Sequence, residues 1–267
     1  MKKKLIGFTF LVLCFLMFRS NTIYQCSDIR KETLSNETVY NHLDNSVEVV
    51  NKDIPEQKEY KIADFPIISQ MPELPTGCEI TALAMMLNYH GFKVDKETLA
   101  YQYLPVVPAE IQYGDDGLLY GPDMESNFVG DPGGIGYICG TSAIVTAANH
   151  FFEQTDPHFY ATSMNQISPK EVYELINCNI PVLVWVTIGM ETRLETQGWY
   201  TRDGVFMEWA ENDHGAVVIG YDETSVIIAD PILGEYRCDK TIFEEVFLSR
   251  GGKCVIIQNK ASGIRGR

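Results

Sequence analysis

The sequence predicts an α+β domain, helical in its N-terminal part and built on an antiparallel β-sheet in its C-terminal part. Three observations carry this. Between residues 78 and 171 apolar residues recur at helical spacing. After Asn179 they come instead in short β-branched runs separated by turn residues. Helical segments also precede the strands rather than alternate with them, which excludes a doubly wound parallel sheet. Length and composition suit the class: 267 residues, 45% hydrophobic and 21% charged, allow one large domain or two small ones and a packed core. The formal charge of −15 comes from 36 acidic against 21 basic residues, and no dense basic stripe relieves it. Such a surface repels a phosphate backbone, so nucleic acid is excluded as a partner.

The chain opens with Lys2, Lys3 and Lys4, then residues 5–18, apolar except for Gly7 and Thr9, then Arg19. A charged stretch followed by an apolar one is the layout of a secretory signal, and the run is shorter than the ~20 residues of a bilayer span. Ser20 to Gln25 offer no small-x-small cleavage site, so a cleaved signal peptide and a retained signal anchor both stay open for residues 1–25. The expected location is extracellular or at the cell surface, attached to the membrane where the apolar segment is kept. Residues 26–61 are polar and lack a helical or strand period, and read as a flexible spacer.

The globular body is expected over residues 62–260. Pro66 to Gln70 read as a short strand, and the Pro- and Gly-rich stretch at residues 71–77 reads as a loop. Residues 78–89 place Ile80, Leu83, Ala84 and Leu87 on one helical stripe that stops at Gly91. A shorter helix follows over residues 96–103. Residues 105–136 hold Asp115-Asp116-Gly117, Gly121-Pro122-Asp123 and Gly130 to Gly134, a loop long enough to suggest a function. Helical pattern resumes at residues 141–152, and Ser168-Pro169 supplies an N-cap with proline at the first helical position. Strands are expected at residues 181–186, 216–221, 225–229 and 253–258.

Three positions bear on chemistry. Cys78 opens a helix, where unpaired N–H groups and the helix dipole favour a thiolate and lower its pKa from ~8.5. His214 lies just before one predicted strand, and Asp230 ends the next. If those strands pair antiparallel through the turn at Asp222, Glu223 and Thr224, His214 and Asp230 meet, and the carboxylate orients the imidazole as a base. The order Cys, His, Asp, with the His 136 positions after the Cys, suits a nucleophile and its base. Each feature alone has an ordinary reading: a small buried cysteine, a satisfied histidine, an Asp-Pro turn.

The stretch Ile68-Ser69-Gln70-Met71-Pro72-Glu73-Leu74-Pro75-Thr76-Gly77-Cys78-Glu79, with Ala82 to Gly91 after it, resembles the nucleophile region of the C39-like cysteine peptidases. So do Pro181 to Thr187, Trp209, His214 to Asp222, Asp230-Pro231, Gly234 and Phe243, and the resemblance covers residues 62–258. It implies a papain-like fold, with Cys78 as nucleophile, His214 as general base and Asp230 as its orienter. Gln70 is then the candidate oxyanion donor, although it stands eight positions before the cysteine, wider than the usual papain-like gap. The implied partner is a peptide or protein substrate, and the implied reaction is amide hydrolysis through an acyl-enzyme. Relatives fused to peptide exporters cut leader peptides after Gly-Gly; this sequence shows no P-loop and a single apolar segment, so that substrate does not carry over.

No cofactor is expected. Asp115, Asp116, Asp123, Glu125 and Asp131 fit no EF-hand spacing and read as a solvated acidic loop. The histidines and cysteines show no zinc spacing. Cys139, Cys178, Cys238 and Cys254 would allow one or two disulfides in an exported chain. Trp199 and Trp209 flank a segment that would either line a groove or pack into the core.

Overall fold

The computed structural model describes residues 58–260; the predicted signal segment and nearly all of the predicted spacer lie outside them. In chain order the principal elements are β1 (Tyr60–Lys61), α1 (Cys78–Tyr89), α2 (Lys96–Gln102), β2 (Val106–Val107), β3 (Gln112–Tyr113), β4 (Leu119–Tyr120) and β5 (Phe128–Val129). Then come α3 (Thr141–Thr155), β6 (Phe159–Met164), α4 (Pro169–Asn177), β7 (Val182–Thr187), β8 (Trp199–Tyr200) and β9 (Phe206–Met207). The chain ends on β10 (Asp213–Tyr221), β11 (Ser225–Asp230), β12 (Gly234–Asp239), α5 (Lys240–Ser249) and β13 (Cys254–Asn259).

The main sheet runs β12-β11-β10-β7-β13-β6, antiparallel throughout, with β1 added alongside β10. Its centre is sealed on both faces: every residue of β7 is buried, as are all of β10 but the first. That is why both strands read as unbroken apolar runs instead of alternating. α1, α2 and α3 form one helical group, with α1 on β10 and α3 on β6, while α4 and α5 touch each other and pack on β10, β7, β11 and β12.

α1, α2, α3 and α4 start where the sequence places them. α4 begins with a capping box: Glu171 N–H donates to Ser168 Oγ at 3.3 Å, and Ser168 N–H donates to Glu171 Oε2 at 2.8 Å. α1 differs from the single apolar stripe expected of it, since ten of its twelve residues are buried. It is an interior helix, wedged between β10 and α3. Pro66 to Gln70 are not a strand; Gln70 N–H instead donates to Pro231 O at 2.8 Å, and Pro66 has no N–H to give a ladder. β10 starts at Asp213, so His214 lies inside the strand rather than before it. The acidic loop contains the two-residue strands β2 to β5, with β2 parallel to β5, and β4 parallel to β8. α5 and β12 were not anticipated: β12 is a half-exposed edge strand, and α5 buries only Phe243 and Phe247.

Cys78, Cys139, Cys238 and Cys254 are not in disulfides, so none of the bridges allowed among the last three forms. Among the described residues no helix is long and apolar enough to cross a membrane, and no group of three or more His, Cys, Asp or Glu is placed to hold a metal ion.

Ser168→Ala removes one half of the α4 capping box and is expected to lower unfolding free energy by ~1 kcal/mol. Urea unfolding checks this, as a lower midpoint at unchanged slope.

Candidate active site

Cys78 is the first residue of α1, after Gly77, and is buried. Its thiol donates to Glu79 Oε2 at 3.2 Å. The other oxygen of that carboxylate accepts the Cys139 N–H at 3.3 Å, and Cys139 O in turn accepts from Trp185 Nε1 at 2.8 Å. The start of α1 is thereby tied to the segment before α3 and to β7. Its fit against β10 depends on Gly215, where a Cβ would stand 2.8 Å from Glu79 Cγ and 2.9 Å from Glu79 Cα.

His214 is fixed by two strand pairings. It faces Val186 across the β10–β7 ladder. On the other side Val217 faces Ala229, so the same register sets Asp230 opposite Ala216, on the face that His214 shares. His214 Nε2 and Asp230 Oδ2 lie 3.0 Å apart, and both residues are only 1% exposed. Asp230 Oδ1 accepts the N–H groups of Ile232 at 2.7 Å and Leu233 at 3.0 Å. An ionised carboxylate only accepts, so Nε2 is the nitrogen that donates to Asp230. Nδ1 is buried and has no hydrogen-bond partner among the described residues.

Gln70 is held by contacts that the sequence did not reveal. Lys96, at the start of α2, is buried, and its ammonium donates to Ser69 O at 2.5 Å, Gln70 O at 3.0 Å and Glu73 Oε2 at 2.7 Å. The Gln70 amide Nε2 donates to Pro75 O at 2.8 Å. These bonds bring Gln70, Cys78 and His214 to the wall of one cleft of about 220 Å³. Tyr137, Ile138, Trp209 and Ile188 give it apolar sides, and Asp213 and Glu211 add carboxyls. Trp209 packs edge-on against Tyr137 at 4.8 Å between ring centres. Trp199 is buried instead, with Nε1 on Pro122 O at 2.8 Å. Asp213, also missed from sequence, is paired with Arg250 Nη2 at 2.6 Å and accepts the Ala210 N–H at 2.9 Å.

The electrostatics correct one expectation. The helix N-terminus was expected to lower the Cys78 pKa; burial, and then the Glu79 carboxylate, push it well up, which outweighs the Gly215 N–H that favours the thiolate. Burial also raises Glu79 to about 7. Asp230 moves the other way. Burial alone would raise it, but the His214 contact and the Leu233 and Ile232 N–H groups bring it below its ordinary value.

The fold and this constellation define a papain-like α+β protein with a cysteine at a helix start on the same cleft wall as a histidine that is bonded to an aspartate on the paired strand. Residues 62–255 match the Peptidase C39 like family, and the chain belongs to that family. It is 31% identical over 204 residues to Uncharacterized protein YvpB of Bacillus subtilis (strain 168), covering 74% of this chain and 76% of YvpB. It also resembles the crystal structure of a "putative C39-like peptidase" from Bacillus anthracis, with TM-score 0.66 and 27% identity over 76% of this chain and 98% of that one.

The Glu79 shift has a consequence for stability. A carboxyl whose pKa rises on folding from 4.5 to about 7 contributes stability that is whole below pH 4.5 and lost as pH climbs toward 7. Denaturant titrations over that range are expected to show a decline on the order of 3 kcal/mol at most, which Glu79→Gln flattens.

Proposed function

We propose that this chain is an exported thiol peptidase that hydrolyses peptide amide bonds through Cys78, His214 and Asp230. The observation that carries the reading is the imidazole held by Asp230 through Nε2, with its basic Nδ1 unengaged on the same cleft wall as the Cys78 thiol. In the first step the thiol proton passes to Nδ1 as sulfur bonds to the substrate carbonyl carbon. The oxyanion is taken up by the backbone N–H of Cys78 at the start of α1 and the second N–H of the Gln70 amide. Collapse breaks the C–N bond, and the imidazolium gives its proton to the leaving amine. Water, deprotonated by the same nitrogen, releases the acyl group from sulfur.

The cleft suits a peptide: Tyr137 and Trp209 line it and offer ring faces to apolar side chains, while Gln70 and Thr76 offer polar groups. Export, and membrane attachment if the segment is retained, rest on the charged and apolar layout of residues 1–25.

Cys78→Ala is expected to abolish turnover of a peptide library, and mass spectrometry of the wild type to show an acyl adduct on Cys78. Asp230→Asn should lower kcat by roughly 10³- to 10⁴-fold, and Gln70→Ala by about 10²-fold. If the wild type cuts no peptide but binds some as tightly as Cys78→Ala does, the domain is a peptide-binding module. Products joined to added amines would mark an acyl transferase.

A further inference from the structure

Glu79 has no task in the reaction just described, yet it is buried against the reacting sulfur. It is 0% exposed, and its carboxylate touches the Cys78 thiol at 3.2 Å and the Cys139 N–H at 3.3 Å. The groups facing it are Cys78 on its own helix, Cys139 on the segment before α3, and His214 on β10, with Gly215 packed on its Cγ. Among the described residues no Lys or Arg bonds to it. A buried acid without a cation is costly unless it is protonated or bonded to donors. Here the donors are its own backbone N–H, the Cys139 N–H and the nucleophile itself.

We propose that Glu79 is a positioning residue that keeps Cys78 a neutral thiol in the resting protein and releases it to His214 only as a substrate carbonyl bonds to the sulfur. This rests on the peptidase reading above. Two routes from the thiol differ in what Glu79 feels. Alkylation by iodoacetamide needs the free thiolate first: the S–H proton leaves, sulfur bonds to the methylene carbon, and iodide departs. In that route two negative charges share one buried site, which disfavours the anion. In acylation the proton moves to Nδ1 while the C–S bond forms, so the negative charge passes to the carbonyl oxygen instead of resting on sulfur beside the carboxylate, and collapse with loss of the amine leaves a neutral thioester. Glu79 therefore suppresses reaction with small soft electrophiles and leaves acyl transfer open.

The test compares the full chain with its Glu79→Gln variant by iodoacetamide labelling of Cys78 across neutral and alkaline pH, read by peptide mass. An amide cannot carry the competing charge and still offers an N–H to the sulfur. The expected result is a labelling midpoint lower by about one pH unit or more, and labelling at neutral pH faster by about tenfold. An unchanged midpoint, or slower labelling at every pH, overturns the proposal. Should Glu79→Gln fail to fold, Glu79→Ala carries the same comparison, and a wild-type midpoint below the ~8.5 of a free cysteine refutes the role in either case. Labelling needs no peptide turnover, so a chain that cuts no peptide still reports on Glu79. Conversely, an active peptidase whose midpoint ignores Glu79→Gln loses this inference and keeps the other.

Discussion

The buried contact between His214 and Asp230 constrains everything around it. Both side chains are almost wholly withdrawn from water, and a polar group in that position is costly unless its bonds are met inside the protein. Asp230 meets the condition with three donors, from His214, Ile232 and Leu233. The contact survives only in one register, since a slip of one residue along β10 would turn His214 to the opposite face of the sheet. β7 and β11 hold that register from both sides, and the irregularity in the β10–β11 ladder falls beyond the site, between Val218 and Gly220. The loop after β11 then reaches the loop before α1, because Pro231 O accepts the Gln70 N–H. One strand end thus places the imidazole, its orienting carboxylate and the backbone of the candidate oxyanion donor.

How much of this could be read beforehand depended on sequence distance. The strands carrying His214 and Asp230 are joined by a short turn, so pairing them followed from β-branched runs and turn residues alone. The helix starts at residues 78, 96, 141 and 169 were legible because capping and periodicity are local. Lys96 and Asp213 were not. Lys96 acts on carbonyls 26 and 27 positions earlier, and Asp213 pairs with an arginine 37 positions later; neither leaves a pattern in its own neighbourhood. The edge strand β12 and the half-exposed α5 bury too few residues to show a period. Glu79 stood in the quoted motif beside Cys78, but neighbours on a helix ordinarily point apart. It turns inward because α1 has almost no solvent face, a property that the stripe of Ile80, Leu83, Ala84 and Leu87 understates.

The start of α1 therefore sets two fields against each other at one sulfur. The helix terminus favours negative charge by ~0.3 to 1 kcal/mol, and by ~2 kcal/mol in a partly buried site. A full negative charge about 4 Å away opposes it by ~4 kcal/mol at the effective dielectric that suits protein sites. Burial favours the protonated sulfur in either state; an ionised Glu79 adds to it, whereas with Glu79 neutral the helix terminus and the Gly215 N–H oppose burial alone. The charge that decides between these states lies on the neighbouring side chain, not on the helix. On the proposed role the reactivity of the sulfur follows the charge of its next residue, and Gly215 matters because its missing Cβ lets that residue come so close.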